Sequence, residues 1–214
     1  LTVFGSVAFA ADVSLTTVDK TPPAELAAPI VSKLQPKALQ LVDGDKILFE
    51  FWLASEVVLK AKPESATKTL DAIKPVALLG ALLVPGDRRD YRDDELYPGA
   101  YTMRFALQPQ DGNHLGTAEY PYFAVLVPAK TDTALEGFPT EKSLNKASSR
   151  DTSTDHPVII SLRPFSGSSG DLPKLNQPAP DHRSLVVKVP GMIADKREVS
   201  ELVFEIVYYG KGKK

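Results

Sequence analysis

Cysteine is absent from the 214 residues. Without a thiol the chain cannot build a zinc–thiolate site, an iron–sulfur cluster, a disulfide or a cysteine nucleophile. An excess of one charge is missing too. Lys and Arg number 25 against 27 Asp and Glu, a net charge of -2, so no strong field draws the chain to nucleic acid or to an anionic membrane surface. No segment approaches the ~18 continuous apolar residues of a membrane span. Nucleotide-binding G-x-G-x-x-G and Walker patterns do not occur, nor does the G-x-S-x-G elbow of serine hydrolases. With 18 prolines spread along the chain, long helices are disfavoured.

What the chain does have is period-two alternation. Leu96-Tyr97-Pro98-Gly99 reads as a tight turn, with Pro98 pre-setting its own φ and Gly99 free to take a positive one. From there Tyr101, Met103, Phe105 and Leu107 share one face of a strand and Thr102, Arg104 and Ala106 the other. Ala38 to Val42 and Lys46 to Leu53 flank Asp43-Gly44, a hairpin signal. In the return strand Ile47, Phe49, Phe51 and Leu53 lie opposite Leu48, Glu50 and Trp52. The single tryptophan therefore sits beside a glutamate on the face away from the main apolar row. It is expected to be covered by a second layer, with a ligand surface as the alternative. Residues 76–84 are apolar on both faces and read as a central strand. Further strands are expected at 12–18, 122–127, 156–162, 185–189 and 202–209, the fourth ended by Pro190-Gly191.

Helices are a minor part of this pattern. One or two short ones are expected within 131–150, where Thr133-Ala134-Leu135-Glu136 has capping-box spacing. The charged stretch 87–95 reads as a solvated connection. Residues 164–182, rich in Pro, Gly and Ser, read as a long loop. Seven to nine short strands without a βαβ rhythm predict an antiparallel β-sandwich as one domain over residues 11–210, with a frayed tail at 211–214. Residues 1–10 are apolar and small, and Ala8-Phe9-Ala10 followed by Ala11-Asp12 fits a signal-cleavage site. The expected location is the periplasm or the exterior of a cell.

The element Leu96-x-Pro98-Gly99-x-Tyr101-x-Met103-x-Phe105 resembles the turn-plus-strand of immunoglobulin-like, fibronectin-III-like and transthyretin-like sandwiches. That resemblance implies a tyrosine corner at Tyr101, its hydroxyl bonding backbone upstream. The longer run from Pro98 through Arg104, Phe105, Asp111, Gly112, Asn113 and His114 to Gly116, together with the Trp52 hairpin and Asp155-His156-Pro157, is similar to a family of secreted bacterial proteins with no assigned activity. The likeness implies a compartment and a fold, and no catalytic roles.

Few residues offer chemistry. His114, His156 and His182 are the only histidines, and with Asp111 or Asp155 they are the candidate ligands of a divalent metal, although their spacing matches no ligand motif. Asp111-Gly112-Asn113 also offers oxygen ligands to calcium, but such a turn closes on its own side-chain bonds without an ion. Arg104, mid-strand, is expected to pair with a carboxylate on a neighbouring strand such as Glu50; binding of an anionic ligand is the alternative. Asn113, Trp52 and Arg104 are the candidate ligand surface, with loop 109–117 and part of 164–182 as the ligand face. The expected function is a secreted, non-catalytic binding or structural module with no cofactor. Its partner would be an envelope or extracellular protein, or a glycan. A metal-binding protein or metal-dependent enzyme and a carbohydrate-binding module are the alternatives.

Overall fold

Alternating segments become strands throughout the computed structural model, which describes residues 13–91, 93–108, 118–149, 156–193, 198–210 and 212. In chain order the elements are β1 (Val13–Asp19), α1 (Ala28–Val31), β2 (Lys37–Asp43), β3 (Lys46–Leu53), β4 (Val57–Leu59), β5 (Leu78–Val84), β6 (Arg88–Arg89) and β7 (Glu95–Leu96). They continue with β8 (Gly99–Leu107), β9 (Tyr122–Pro128), α2 (Glu141–Ser148), β10 (Val158–Pro164), β11 (Lys174–Ala179), β12 (His182–Ile193) and β13 (Glu198–Tyr209). The protein is mainly β, with a large antiparallel sheet and two short helices.

Eleven of the described strands form one sheet in the order β1-β2-β3-β5-β8-β9-β10-β13-β12-β11, with β4 attached to β12. The first seven strands on this path follow the chain as a meander. The chain then crosses from β10 to the far edge and returns through β11, β12 and β13, so that β13 pairs with β10. That is a Greek-key connection. All pairings are antiparallel but one. β4 runs parallel to β12, with Gly191, Met192 and Ile193 opposite Val57, Val58 and Leu59. Because β4 follows β3 after a few residues, this pair brings the two ends of the sheet together. The layers of the sandwich are thus one sheet rolled over itself. Leu39 and Phe51 from one end share a continuous core with Met103, Phe105, Leu126 and Ile160 from the middle and Val187 and Phe204 from the other end.

The outward faces of the central strands are covered as well, as the unbroken apolar run at β5 requires. The segment carrying α1 packs Leu26, Ile30 and Leu34 on Ala38, Trp52 and Ala81. Trp52 is 0% exposed, and its indole nitrogen donates to the Lys20 carbonyl at 2.8 Å. Helix α2 lays Leu144 and Ala147 on Ala106, Val125 and Val127. Ser148 fastens it there, donating to the Leu126 carbonyl at 2.5 Å while accepting from the Val158 amide at 2.9 Å. A side chain of this size removed from water contributes about 1.5–3 kcal/mol, which outweighs the propensity of so short a helix.

Several expectations need correction. Residues 164–182 are not loop throughout, since Lys174–Ala179 forms the edge strand β11. Strand β12 does not stop at Pro190-Gly191. It runs on to Ile193, and proline is tolerated because neither β4 nor β11 pairs with residues 187–190 on that side. Thr133–Glu136 caps no helix; the capping box belongs to Thr140 and Ser143, which exchange side-chain and backbone bonds at the start of α2. The stretch 87–95 holds the two-stranded hairpin β6–β7. The segments 1–10 and 109–117 lie outside the described residues, as do Lys211, Lys213 and Lys214 of the tail.

Gly80 marks the tightest contact in the sheet. Its φ is +154°, and a β-carbon there would lie 2.4 Å from the Trp52 carbonyl oxygen and 3.1 Å from Leu53 Cα. Both obstacles are backbone, so they cannot step aside as a side chain would. Gly80→Ala is therefore expected to lower the unfolding free energy by about 2–3 kcal/mol. The check is urea denaturation, read as a lower midpoint with an unchanged slope.

Candidate functional site

Arg104 projects outward from β8 yet is only 1% exposed. Its Nε donates to Asp132 Oδ2 at 2.7 Å and its Nη2 to Oδ1 at 2.9 Å. The remaining N–H groups reach the carbonyls of Ala134 at 2.8 Å, Leu135 at 2.7 Å and Val76 at 3.2 Å. All five guanidinium donors are thereby occupied. Thr102 adds a bond to Asp132 Oδ2 at 2.5 Å, and the Phe138 ring lies 5.6 Å from the guanidinium carbon. Charge, fork geometry and ring together clamp the 129–138 segment onto the sheet.

The pairing of Arg104 with Glu50 is thus corrected. Glu50 stands opposite Leu83, which stands opposite Ala100, four residues along β8 from Arg104 and with β5 between. Glu50 instead takes Lys20 Nζ at 2.7 Å and 2.8 Å and Gln40 Nε2 at 2.5 Å, which ties down the segment that covers Trp52. A third buried carboxylate, Glu205, accepts from Ser184 at 2.5 Å and Asn176 at 3.2 Å, joining β13, β12 and β11. Trp52 and Arg104 are removed from the candidate ligand surface for the same reason: both lie under covering segments. Asp132 was missed by sequence reasoning. It stands in a loop with no periodic pattern, and only the unmatched charge of Arg104 signalled that such a partner existed.

Tyr101 lies at the start of β8, and its hydroxyl donates to the Tyr97 carbonyl at 2.9 Å. Gly99, one residue after Pro98, has φ +155°. The phenol thus bonds the backbone four residues upstream, across the turn that Pro98 and Gly99 form. Tyr122 pins the helical turn at Leu70–Ala72 to the sheet by donating to Asp71 Oδ1 at 2.6 Å. Burial, and then this bond, push its hydroxyl well above the ordinary phenol range.

Of the three histidines, His156 and His182 are among the described residues. Asp111, Asn113, His114 and Asp155 lie outside the described residues. His156 is exposed just before β10. His182 opens β12, and β13 lies between that strand and β10. His182 Nδ1 meets Asp181 Oδ1 at 2.8 Å, a bond that holds the Asp181 carboxyl below its usual value. Its ring lies 5.9 Å from that of Tyr91, a phenol pushed up chiefly by burial. Among the described residues no three His, Cys, Asp or Glu side chains are placed to hold a metal.

The described residues do enclose a cleft, of about 280 Å³, where the rolled sheet meets itself. β11 covers the edge of β12 as far as Val186 and β4 covers it from Gly191 onward. Between them residues 187–190 face a gap. Leu39 of β2 and Leu53 of β3, both part of the core, form the apolar floor. Leu172 and Pro173 wall one side and Gln35 and Pro36 another, while Thr17, Lys37 and Lys188 stand at the mouth. Lys37 lies 3.7 Å from Asp19 and Lys188 3.1 Å from Glu201, pairs between exposed side chains that are worth little. Of the expected ligand face, only Leu172 and Pro173 from the 164–182 stretch take part. The rest of the lining comes from four separate stretches, Thr17, residues 35–39, Leu53 and Lys188. Comparison with protein-family models, curated proteins and solved structures returned no match to this chain.

Removing one partner of the Arg104–Asp132 pair leaves a charge without compensation in the interior. Arg104→Met is expected to destabilise the fold by about 3–5 kcal/mol. Adding Asp132→Leu should restore a large part of that loss, because the orphaned carboxylate goes with it. Chemical denaturation of the single and double variants measures the difference.

Proposed function

We propose that this chain is a secreted, non-catalytic β module of a bacterial envelope, and that it binds a ligand in the cleft beside residues 187–190. One observation carries the reading. Residues 187–190 of β12 are paired by neither β4 nor β11, and beside them lies a cleft lined by the core residues Leu39 and Leu53 and by the half-buried Leu172. Elsewhere on the outer faces, Arg104, Glu50 and Glu205 are engaged in holding segments together. A concave apolar floor with a few polar groups at its rim is the ordinary form of a small-ligand site. Secretion is supported by the small apolar stretch ending in Ala8-Phe9-Ala10 and by the resemblance of the Pro98–Gly116 run to secreted bacterial proteins.

Two measurements test this. In a methyl-labelled sample titrated with a mixture of neutral, cationic and anionic fragments, the methyl resonances of Leu39, Leu53 and Leu172 should shift. Leu172→Trp, which fills the cleft from its half-buried wall, should abolish those shifts. Shifts confined to another surface, or none, would reject the cleft. Expressed in a Gram-negative host behind a complete signal peptide, the protein should be recovered from the periplasm with Ala11 as its first residue. Retention of residues 1–10 in a cytoplasmic product would reject the compartment.

A further inference from the structure

We infer that the cleft takes a small amphipathic monocarboxylate, its apolar end on Leu39, Leu53 and Leu172 and its carboxylate between Lys37 and Lys188. The inference rests on the reading of the cleft as the ligand site and goes on to assign the ligand's chemistry. Three features of the cleft select that class.

The first is charge. The ionisable groups that line the cleft are Lys37 and Lys188, both cations, and Thr17 adds a hydroxyl. Their acidic neighbours Asp19 and Glu201 are not part of the lining, and they are 87% and 69% exposed. A bound carboxylate would compete for ammoniums held only by weak, solvated pairs, and would itself sit in a less watery place, where a charge-assisted bond is stronger. Gln35 contributes less as a donor, since its Nε2 already bonds the Ala54 carbonyl at 3.1 Å.

The second is the floor. Leu39 and Leu53 close the bottom of the cleft at 7% and 4% exposure, and the half-buried Leu172 and Pro173 beside them supply the apolar surface from which a ligand displaces water, a gain of about 25 cal/mol for each Å² covered. A bare inorganic anion would forgo that gain. The two demands fall at opposite ends of the cleft, apolar inside and cationic at the mouth, and so require an amphipathic molecule.

The third is size. A volume of about 280 Å³ lies below the roughly 300–1,000 Å³ of sites that hold drug-sized ligands. A short alkyl chain or a single ring fits. An extended peptide fits worse, because the gap along β12 is limited to residues 187–190, closed off by β11 at one end and β4 at the other. Strand addition has no room to register.

The test compares hexanoate and benzoate with hexanamide and hexylamine by calorimetry at low ionic strength, with the Leu39, Leu53 and Leu172 methyl resonances followed in parallel. The carboxylates should bind and move those methyls, and hexanamide should bind about tenfold more weakly or worse. Lys188→Met keeps the aliphatic stem and should weaken hexanoate by about tenfold while leaving hexanamide unchanged, and Lys188→Arg should retain binding. Thermal unfolding of the variants confirms that they remain folded. Equal binding of hexanoate and hexanamide, indifference to Lys188→Met, or occupancy by an acidic peptide in place of hexanoate would overturn the carboxylate assignment while leaving the cleft as the site. If no compound or peptide moves the Leu39 and Leu53 methyls, the cleft and the assignment fail together.

Discussion

Strands that bury both faces leave no side of the backbone for water, and this constraint shapes the molecule. Phe51, Met103, Phe105 and Leu126 point into the shared core. The intervening residues Glu50, Trp52, Thr102 and Arg104 must then lie beneath a second layer built from irregular chain. Irregular chain carries backbone carbonyls and amides that need partners once covered. The outward-facing polar side chains supply them. Arg104 takes the Ala134 and Leu135 carbonyls besides Asp132, and the Trp52 indole takes the Lys20 carbonyl, while Ser148 of the covering helix α2 donates in the other direction to the Leu126 carbonyl of β9. The buried polar side chains thus fasten the covering segments to the outer faces of the rolled sheet.

Such a design ties specificity to a few residues. A buried ion pair contributes little net stability against an apolar pair of the same shape. What Arg104 and Asp132 provide is position: four directional bonds from the guanidinium, to Asp132, Ala134 and Leu135, allow the 129–138 segment one way to lie. Glu50 does the same for the segment ahead of α1, through Lys20 and Gln40. The cleft is the place where this covering is incomplete. Its polar groups stand at the rim, and none of them bridges the gap.

Much of this was legible in the sequence, and the limits have physical causes. Alternation along β3 and β8 announced which side chains face the core, because a one-residue slip would expose Phe51 and Phe105 together. The tyrosine at position 101 stood where a phenol can reach the turn before it. Trp52 on the minor face, beside a glutamate, implied a cover, and α1 with its flanks is that cover. The partner of Arg104 was not readable, since register between β3, β5 and β8 depends on strand order and strand order leaves no local trace. β11 was hidden among Pro, Gly and Ser because an edge strand with one neighbour needs little apolar patterning. The cleft was hidden altogether: Lys188 and Leu172 meet Thr17, Lys37 and Leu53 of the first three strands only when the sheet rolls.

The parallel pair between Val57–Leu59 and Gly191–Ile193 has a kinetic meaning. It joins stretches drawn from opposite ends of the polypeptide, while the meander before it forms from hairpins close in sequence. The entropy lost in bringing such distant stretches together precedes any reward from their contact. On sequence separation alone, the local hairpins are expected to form first and the pairing of β4 with β12 last. In the finished molecule Leu39 and Leu53 are 7% and 4% exposed, so closure is the act that takes their faces out of water, and the cleft is the narrow seam it leaves beside them.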